Sequence, residues 1–162
     1  MKLFRSLVLV LSLVLSAAAV ADIGPVTGMP MPRFAVLTRD EVNVRTGPGE
    51  RYPIDWVFTR KHMPVQIVGE YEHWRKIRDF EGTEGWVHKA MLSGQKSVMF
   101  VKGGFMLRRE ASYNSAPVVK VEQTVTGNLE ECVEGWCFVE VGGFKGWAQS
   151  DYLWGIEPQG VL

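Results

Sequence analysis

The stretch Gly85-Trp86-Val87-His88-Lys89-Ala90-Met91-Leu92 returns, 61 residues later, as Gly146-Trp147-Ala148-Gln149-Ser150-Asp151-Tyr152-Leu153. Upstream of it, Trp74 matches Trp136 at an offset of 62, and Asn43-Val44-Arg45 matches Met106-Leu107-Arg108 at 63. A shift this constant across three landmarks marks an internal duplication, in which each copy is one structural unit. The copies run over residues 34–93 and 97–155, joined by Gly94-Gln95-Lys96.

Within the first copy, Phe34 to Thr38, Val42 to Arg45, Val65 to Val68, Trp74 to Arg78 and Gly85 to His88 are rich in β-branched and aromatic residues. Such short runs separated by turns read as strands, and no segment sustains a helical period. Gly47-Pro48-Gly49 reads as a turn, because proline presets φ at its second position and glycine accepts the positive φ that a type II turn requires next. The expectation is an all-β chain of two small barrels. Units of this size bury a modest fraction of their surface and gain from packing on one another. With so short a linker, a rigid tandem pair follows.

Ahead of the copies, Lys2 and Arg5 precede an apolar run from Leu7 to Val14, and Ala19-Val20-Ala21 has the small-x-small form of a cleavage site. Residues 1–21 therefore read as a cleaved signal peptide, too short to span a bilayer as an anchor. No transmembrane anchor is expected after cleavage, and the protein is expected in the periplasm or secreted. Residues 22–33, rich in Gly, Pro and Met, read as a flexible leader, and 156–162 as a tail. In an exported chain Cys132 and Cys137 are expected to form a disulfide closing a hairpin around Gly135. The chain carries 18 basic and 18 acidic residues, and without the signal peptide 16 and 18, a net charge of −2. That balance argues against nucleic acid, whose binders show a basic excess or stripe.

The set Val42-Asn43-Val44-Arg45-Thr46-Gly47-Pro48-Gly49, Tyr52-Pro53-Ile54, His73-Trp74-Arg75-Lys76-Ile77 and Gly85-Trp86-Val87 through Leu92, in that order, resembles the bacterial SH3 domain family. The second copy keeps Gly135-Trp136, Gly146-Trp147 and Tyr152-Leu153, but Arg108-Arg109-Glu110-Ala111 stands where the first has its Gly-Pro-Gly turn. The resemblance implies two tandem SH3-like small β-barrels, non-catalytic, on an exported protein. It implies as partner peptidoglycan, its peptides, or another cell-envelope component. The alternative is a structural or regulatory module that binds an envelope protein such as a sensor or enzyme.

Strand alternation sorts candidate binding residues. Trp74, Lys76 and Arg78 share one face and Arg75 and Ile77 the other; in the second copy Trp136, Phe138 and Glu140 oppose Cys137, Val139 and Val141. With Ile77 and Val139 inside, Trp74 and Trp136 point outward. Each is either a ligand platform or a filler between copies or at a barrel edge. Trp86 and Trp147 pack the barrels or join the platform, and Tyr52 and Tyr152 either rim a groove or cap the barrel. Arg45 and Arg108 read as hydrogen-bonding to turns. No cofactor or metal is expected, since His62, His73 and His88 are dispersed and Cys-x4-Cys lacks a second ligand pair. Glu70, Glu72, Glu81 and Glu84 supply carboxylates, but no nucleophile, base and orienting partner assemble from the sequence.

Overall fold

The computed structural model describes residues 22–157, so the expected signal peptide and residues 158–162 lie outside the described residues. The first copy is built from β3 (Arg33–Leu37), β4 (Val42–Arg45), β5 (Ile54–Phe58), β6 (Pro64–Tyr71), β7 (Trp74–Arg78), β8 (Glu84–His88) and β9 (Leu92–Ser93). They form one curled antiparallel sheet in the order β5-β4-β8-β7-β6-β3-β9. In the second copy β10 (Ser97–Phe100), β11 (Phe105–Arg108), β12 (Pro117–Val121), β13 (Thr126–Val133), β14 (Trp136–Val141), β15 (Phe144–Gln149) and β16 (Leu153–Trp154) repeat that order as β12-β11-β15-β14-β13-β10-β16. Single 3-10 turns, Lys89–Met91 and Ser150–Tyr152, precede the last strand of each. Among the described residues no helix is long and apolar enough to cross a membrane.

Each sheet curls around its own apolar cluster. Leu37, Val42, Val44, Val65, Ile77 and Val87 fill the first, and Val98, Phe100, Leu107, Cys137, Val139 and Ala148 the second. These are the inward members of alternating strands. The register also has the same irregularity in both, at Val68 between Ile67 and Gly69 and at Glu130 between Leu129 and Glu131. A bulge there increases local twist and helps the long hairpin wrap the core. Cys132 and Cys137 are directly paired across β13 and β14 and form a disulfide. For so short a loop, chain entropy contributes about 2 kcal/mol.

β10 is buried on both faces. Val98 and Phe100 point into the second core, while Met99, 1 % exposed, belongs to the first core cluster. On Met99's face, Ser97 Oγ donates to the His62 carbonyl at 2.8 Å and lies 3.1 Å from that of Gly127. Trp154 Nε1 donates to the Pro64 carbonyl at 3.3 Å, and its ring meets Phe34 edge-on at 5.0 Å. Arg60 reaches the Thr124 carbonyl. The copies are thus packed on each other, with Phe34 and Trp154 as the aromatic pair between them.

Three expectations change. Residues 22–33 are no flexible leader: β1 (Asp22–Ile23) and β2 (Pro30–Met31) form a hairpin folded onto the first barrel. The anchor is Glu70, described below. The tail begins ordered, since Ile156 packs on the second core and Glu157 Oε1 accepts from the Phe34 N–H at 2.7 Å. In the Gly47-Pro48-Gly49 turn, neither glycine has positive φ. Gly47 is required by proximity, because a Cβ there would lie 2.4 Å from Tyr52 Cδ1.

Candidate functional site

The outer face of β7 and β8 is a ladder of side chains. Trp74 stands opposite His88, Lys76 opposite Trp86, and Arg78 opposite Glu84, with Arg45 of β4 on the far side of Trp86. Arg75, Ile77 and Val87, at the intervening positions, are buried. Trp74 and Trp86 are therefore diagonal neighbours on one surface, both half-buried, at a separation that large side chains bridge. The His88 ring meets Trp74 edge-on at 5.4 Å and lies 6.1 Å from His73. Exposed Tyr71 is the cross-strand partner of Trp74 on its β6 side.

Polar groups frame this aromatic surface. Lys76 Nζ and Arg78 Nη2 each lie 2.6 Å from the Glu84 carboxylate. Their hydrogen bonds, Lys76 first and Arg78 second, outweigh partial burial and hold the Glu84 carboxyl below its ordinary range. Arg45 Nη1 donates to the carbonyls of Glu50 and Tyr52, at 3.1 and 2.7 Å, tying the β4–β5 loop to the strand beside Trp86. In the second copy Arg108 Nη1 donates likewise to Ser115.

The equivalent ladder of β14 and β15 places Trp136 opposite Gln149, Phe138 opposite Trp147, and Glu140 opposite Lys145, with Arg108 flanking Trp147. Its accessibility differs. Trp136 is only 9 % exposed, because Tyr113, from the β11–β12 loop, stands edge-on against it at 5.1 Å. Counted from the shared arginine, Glu110 holds the place of Gly47. In the first copy Tyr52 folds back over Gly47, with Arg51 5.2 Å above its ring. The second loop lacks that glycine and lays its tyrosine over the tryptophan. Trp136 therefore packs on its own barrel; it is neither an open platform nor a filler between copies.

Trp147 is half-buried, with its ring 5.2 Å from Phe138. Tyr152 is remote from both ladders in its contacts: it packs on Phe105 at 4.5 Å under Lys102 and closes the end of the second barrel. The fold thus places Trp74 and Trp86 on one open face and ties Tyr52 to the adjacent strand. Trp136 and Trp147 share a face that is partly covered. Residue-level reading of the sequence missed Tyr113 and His88; a tyrosine in each corresponding loop was the available signal for the first.

Glu70 is the other polar centre. Its side chain is fully buried and takes the N–H groups of Val26 and Thr27 at 3.0 Å, the Thr27 hydroxyl at 2.7 Å and Arg33 Nη2 at 2.7 Å, with Arg75 Nε at 3.5 Å. Burial alone would raise its pKa, but the Thr27 hydroxyl, Arg33 and the two backbone donors together bring it down to about 2. Of the carboxylates noted in the sequence, Glu70 therefore clamps the amino-terminal hairpin, and Glu84 bridges Lys76 and Arg78. Among the described residues no group of three or more His, Cys, Asp or Glu side chains is placed to hold a metal ion.

The bacterial SH3 domain pattern matches residues 38–94 and again 101–155. The chain is 25 % identical over 134 residues to a putative N-acetylmuramoyl-L-alanine amidase, YrvJ, of Bacillus subtilis strain 168; the match covers 72 % of this chain and 26 % of the amidase. The chain thus spans about a quarter of that relative's length. Two solved structures, NlpC2 and NlpC1 of Trichomonas vaginalis, align at TM-scores of 0.35 and 0.36 with 15 % and 14 % identity. Those alignments cover 76 % and 81 % of this chain and 48 % of each of the others.

Proposed function

Because the chain belongs to the bacterial SH3 domain family, with two adjacent copies of its domain, we propose that it is a non-enzymatic cell-envelope binding module that recognises peptidoglycan or its peptides through the open Trp74–Trp86 face. The observation that carries this reading is the contrast between copies. One ladder presents two half-exposed indoles beside Lys76 and His88, while in the other a loop tyrosine covers the corresponding tryptophan. An indole offers a broad apolar face with one N–H donor, suited to stacking on a sugar ring or an alkyl side chain. The kinship with an enzyme named for the N-acetylmuramoyl-L-alanine bond supports a cell-wall ligand, and the disulfide supports an oxidising compartment, periplasmic or extracellular. On this reading the chain tethers or presents and leaves chemistry to other proteins.

Retention of the purified protein on isolated sacculi tests this directly. Trp74→Ala and Trp86→Ala are expected to lose retention, by about tenfold or more if either indole is an anchor, while their melting curves show an intact fold. Tyr113→Ala, at the covered face of the second copy, is expected to leave retention unchanged. A wild-type protein that stays in the supernatant would turn the search towards an envelope protein as ligand.

A further inference from the structure

An open groove near 570 Å³ lies along β5 of the first barrel and is bounded by the β7–β8 turn. It shares no lining residue with the Trp74–Trp86 face. Its floor is apolar: Trp56 and Phe58, edge-on to each other at 6.0 Å, with Met63 and Phe80. Asp55, Asp79 and Glu81 also line it, and no lysine or arginine does. Among the described residues none of these three carboxylates enters an ion pair. Asp79, 7 % exposed, accepts through Oδ1 from the N–H groups of Glu81 and Thr83, at 3.0 and 2.8 Å. Its Oδ2 accepts nothing among the described residues and is not sealed from solvent. A nearly buried carboxylate thus keeps one open oxygen at the groove that it lines.

The second copy lacks this acidic rim. Strand pairing puts Val118 at the place of Asp55 and Val141 at that of Asp79, and the shorter Gly142-Gly143 turn has no counterpart of Glu81. The barrel therefore forms without these acids. The sheet edges differ as well. β5 and β12 are the outer strands of their sheets. β12 carries Pro117 and Lys120, residue types that blunt an edge against pairing. β5 carries neither, and its Ile54 and Val57 are exposed. An extended segment laid on β5 would gain main-chain hydrogen bonds there, and its alternate side chains would reach over the groove. A lysine or arginine fits that place, because its alkyl stem covers the aromatic floor while its charged head meets the carboxylates. We propose that the β5 edge and this groove form a second interaction surface, which takes an extended basic segment of a partner protein by strand addition and seats one of its lysine or arginine side chains between Asp55, Asp79 and Glu81. The inference goes beyond the wall-binding reading and stands independently of it, and it leaves the Trp74–Trp86 face free.

The test is a titration of the isotope-labelled full chain, followed by its amide resonances, with the peptide acetyl-Thr-Val-Lys-Val-Arg-Val-Thr-amide and with the same peptide carrying glutamine at both basic positions. Saturable shifts of the Val57, Phe58 and Glu81 amides are expected with the basic peptide, while the indole N–H resonances of Trp74 and Trp86 stay in place. The glutamine peptide is expected to bind about tenfold more weakly, as befits loss of charge-assisted hydrogen bonds. Asp55→Asn and Glu81→Gln should each weaken the basic peptide severalfold, and together by about tenfold. Asp79 is kept, since its Oδ1 closes the turn, and melting curves verify that the variants fold. Asp151→Asn, at an exposed carboxylate of the second copy, should leave binding unchanged, which separates a seated cation from general attraction to the chain. Equal binding of the two peptides, no saturable shift, or shifts confined to Trp74 and Trp86 would overturn the proposal. Movement of the β5 amides on raising the protein concentration alone would also overturn it, by assigning the edge to a second copy of the chain.

Discussion

Gly85 and Gly146 precede the two repeated tryptophans, and each points into its barrel. A Cβ on Gly85 would lie 2.3 Å from Val44 Cγ1, and one on Gly146 2.9 Å from the Arg108 carbonyl oxygen. The crossing strand, β4 or β11, passes too close for any side chain, and alternation then turns the following tryptophan outward. The Gly-Trp pair thus encodes both a tight core crossing and an exposed indole. Gly85→Ala is expected to cost about 1–3 kcal/mol, the usual price of overpacking a core. Gly94→Ala, with nothing within 4 Å of its added carbon, should stay within about 0.5 kcal/mol of wild type. Urea denaturation of the two variants beside the parent measures the difference; equal stabilities would contradict the crossing geometry.

At the level of elements, the hairpin of β1 and β2 depends on Glu70 for its attachment. Its tip, Gly24 to Met29, is closed by hydrogen bonds of 2.8 Å from the Gly24 N–H to Met29 and 2.9 Å from the Gly28 N–H to Gly24. A Cβ on Gly24 would sit 2.6 Å from Glu70 Oε2, so the backbone rests directly on the carboxylate. The Glu70 pKa falls from 4.5 to about 2 on folding, so the folded state favours the ionised form. Its contribution, about 3 kcal/mol by linkage, is fully present above the unfolded value and drains away as pH falls through the folded one. Hydrogen exchange at Val26 and Thr27 is expected to accelerate between pH 4.5 and 2, ahead of the Ile77 and Val87 amides in the core. In Glu70→Gln that acid-dependent step should vanish and both amides should exchange rapidly at neutral pH. Protection of Val26 and Thr27 that persists to pH 2 would refute the clamp.

Across the whole molecule, β10 serves two cores. Met99 inserts into the first barrel from the second, and the Ser97 hydroxyl ties the two by donating to the His62 carbonyl. Small barrels of this size are marginal alone, and a shared strand lets each draw on its neighbour's burial. Thermal unfolding of the parent is accordingly expected as one cooperative transition. Met99→Ala should cost about 2–5 kcal/mol, and with Trp154→Ala it should split the calorimetric trace into two. A single transition in the double variant would show that the coupling runs elsewhere.

The sequence by itself determined the duplication, the all-β class, the disulfide and the alternation that turns Trp74 outward while leaving Trp86 and Trp147 open between core and surface. Those features follow from local chemistry: a two-residue alternation, a repeated Gly-Trp pair, and two cysteines facing across a short turn. Strand β5 (Ile54–Phe58) escaped that reading because it lies at the sheet edge with its residues exposed or half-exposed. Tertiary structure alone decided which tryptophan is open, since Trp136 and Trp74 occupy equivalent strand positions and differ through a distant loop. It also decided the fate of the amino-terminal segment, whose Gly- and Pro-rich composition reads as loose chain. A buried carboxylate 43 or 44 residues away supplies the partners that its backbone lacks. Such pairings cost nothing in local propensity and leave no periodic trace, so they become visible only when the fold brings the two segments together.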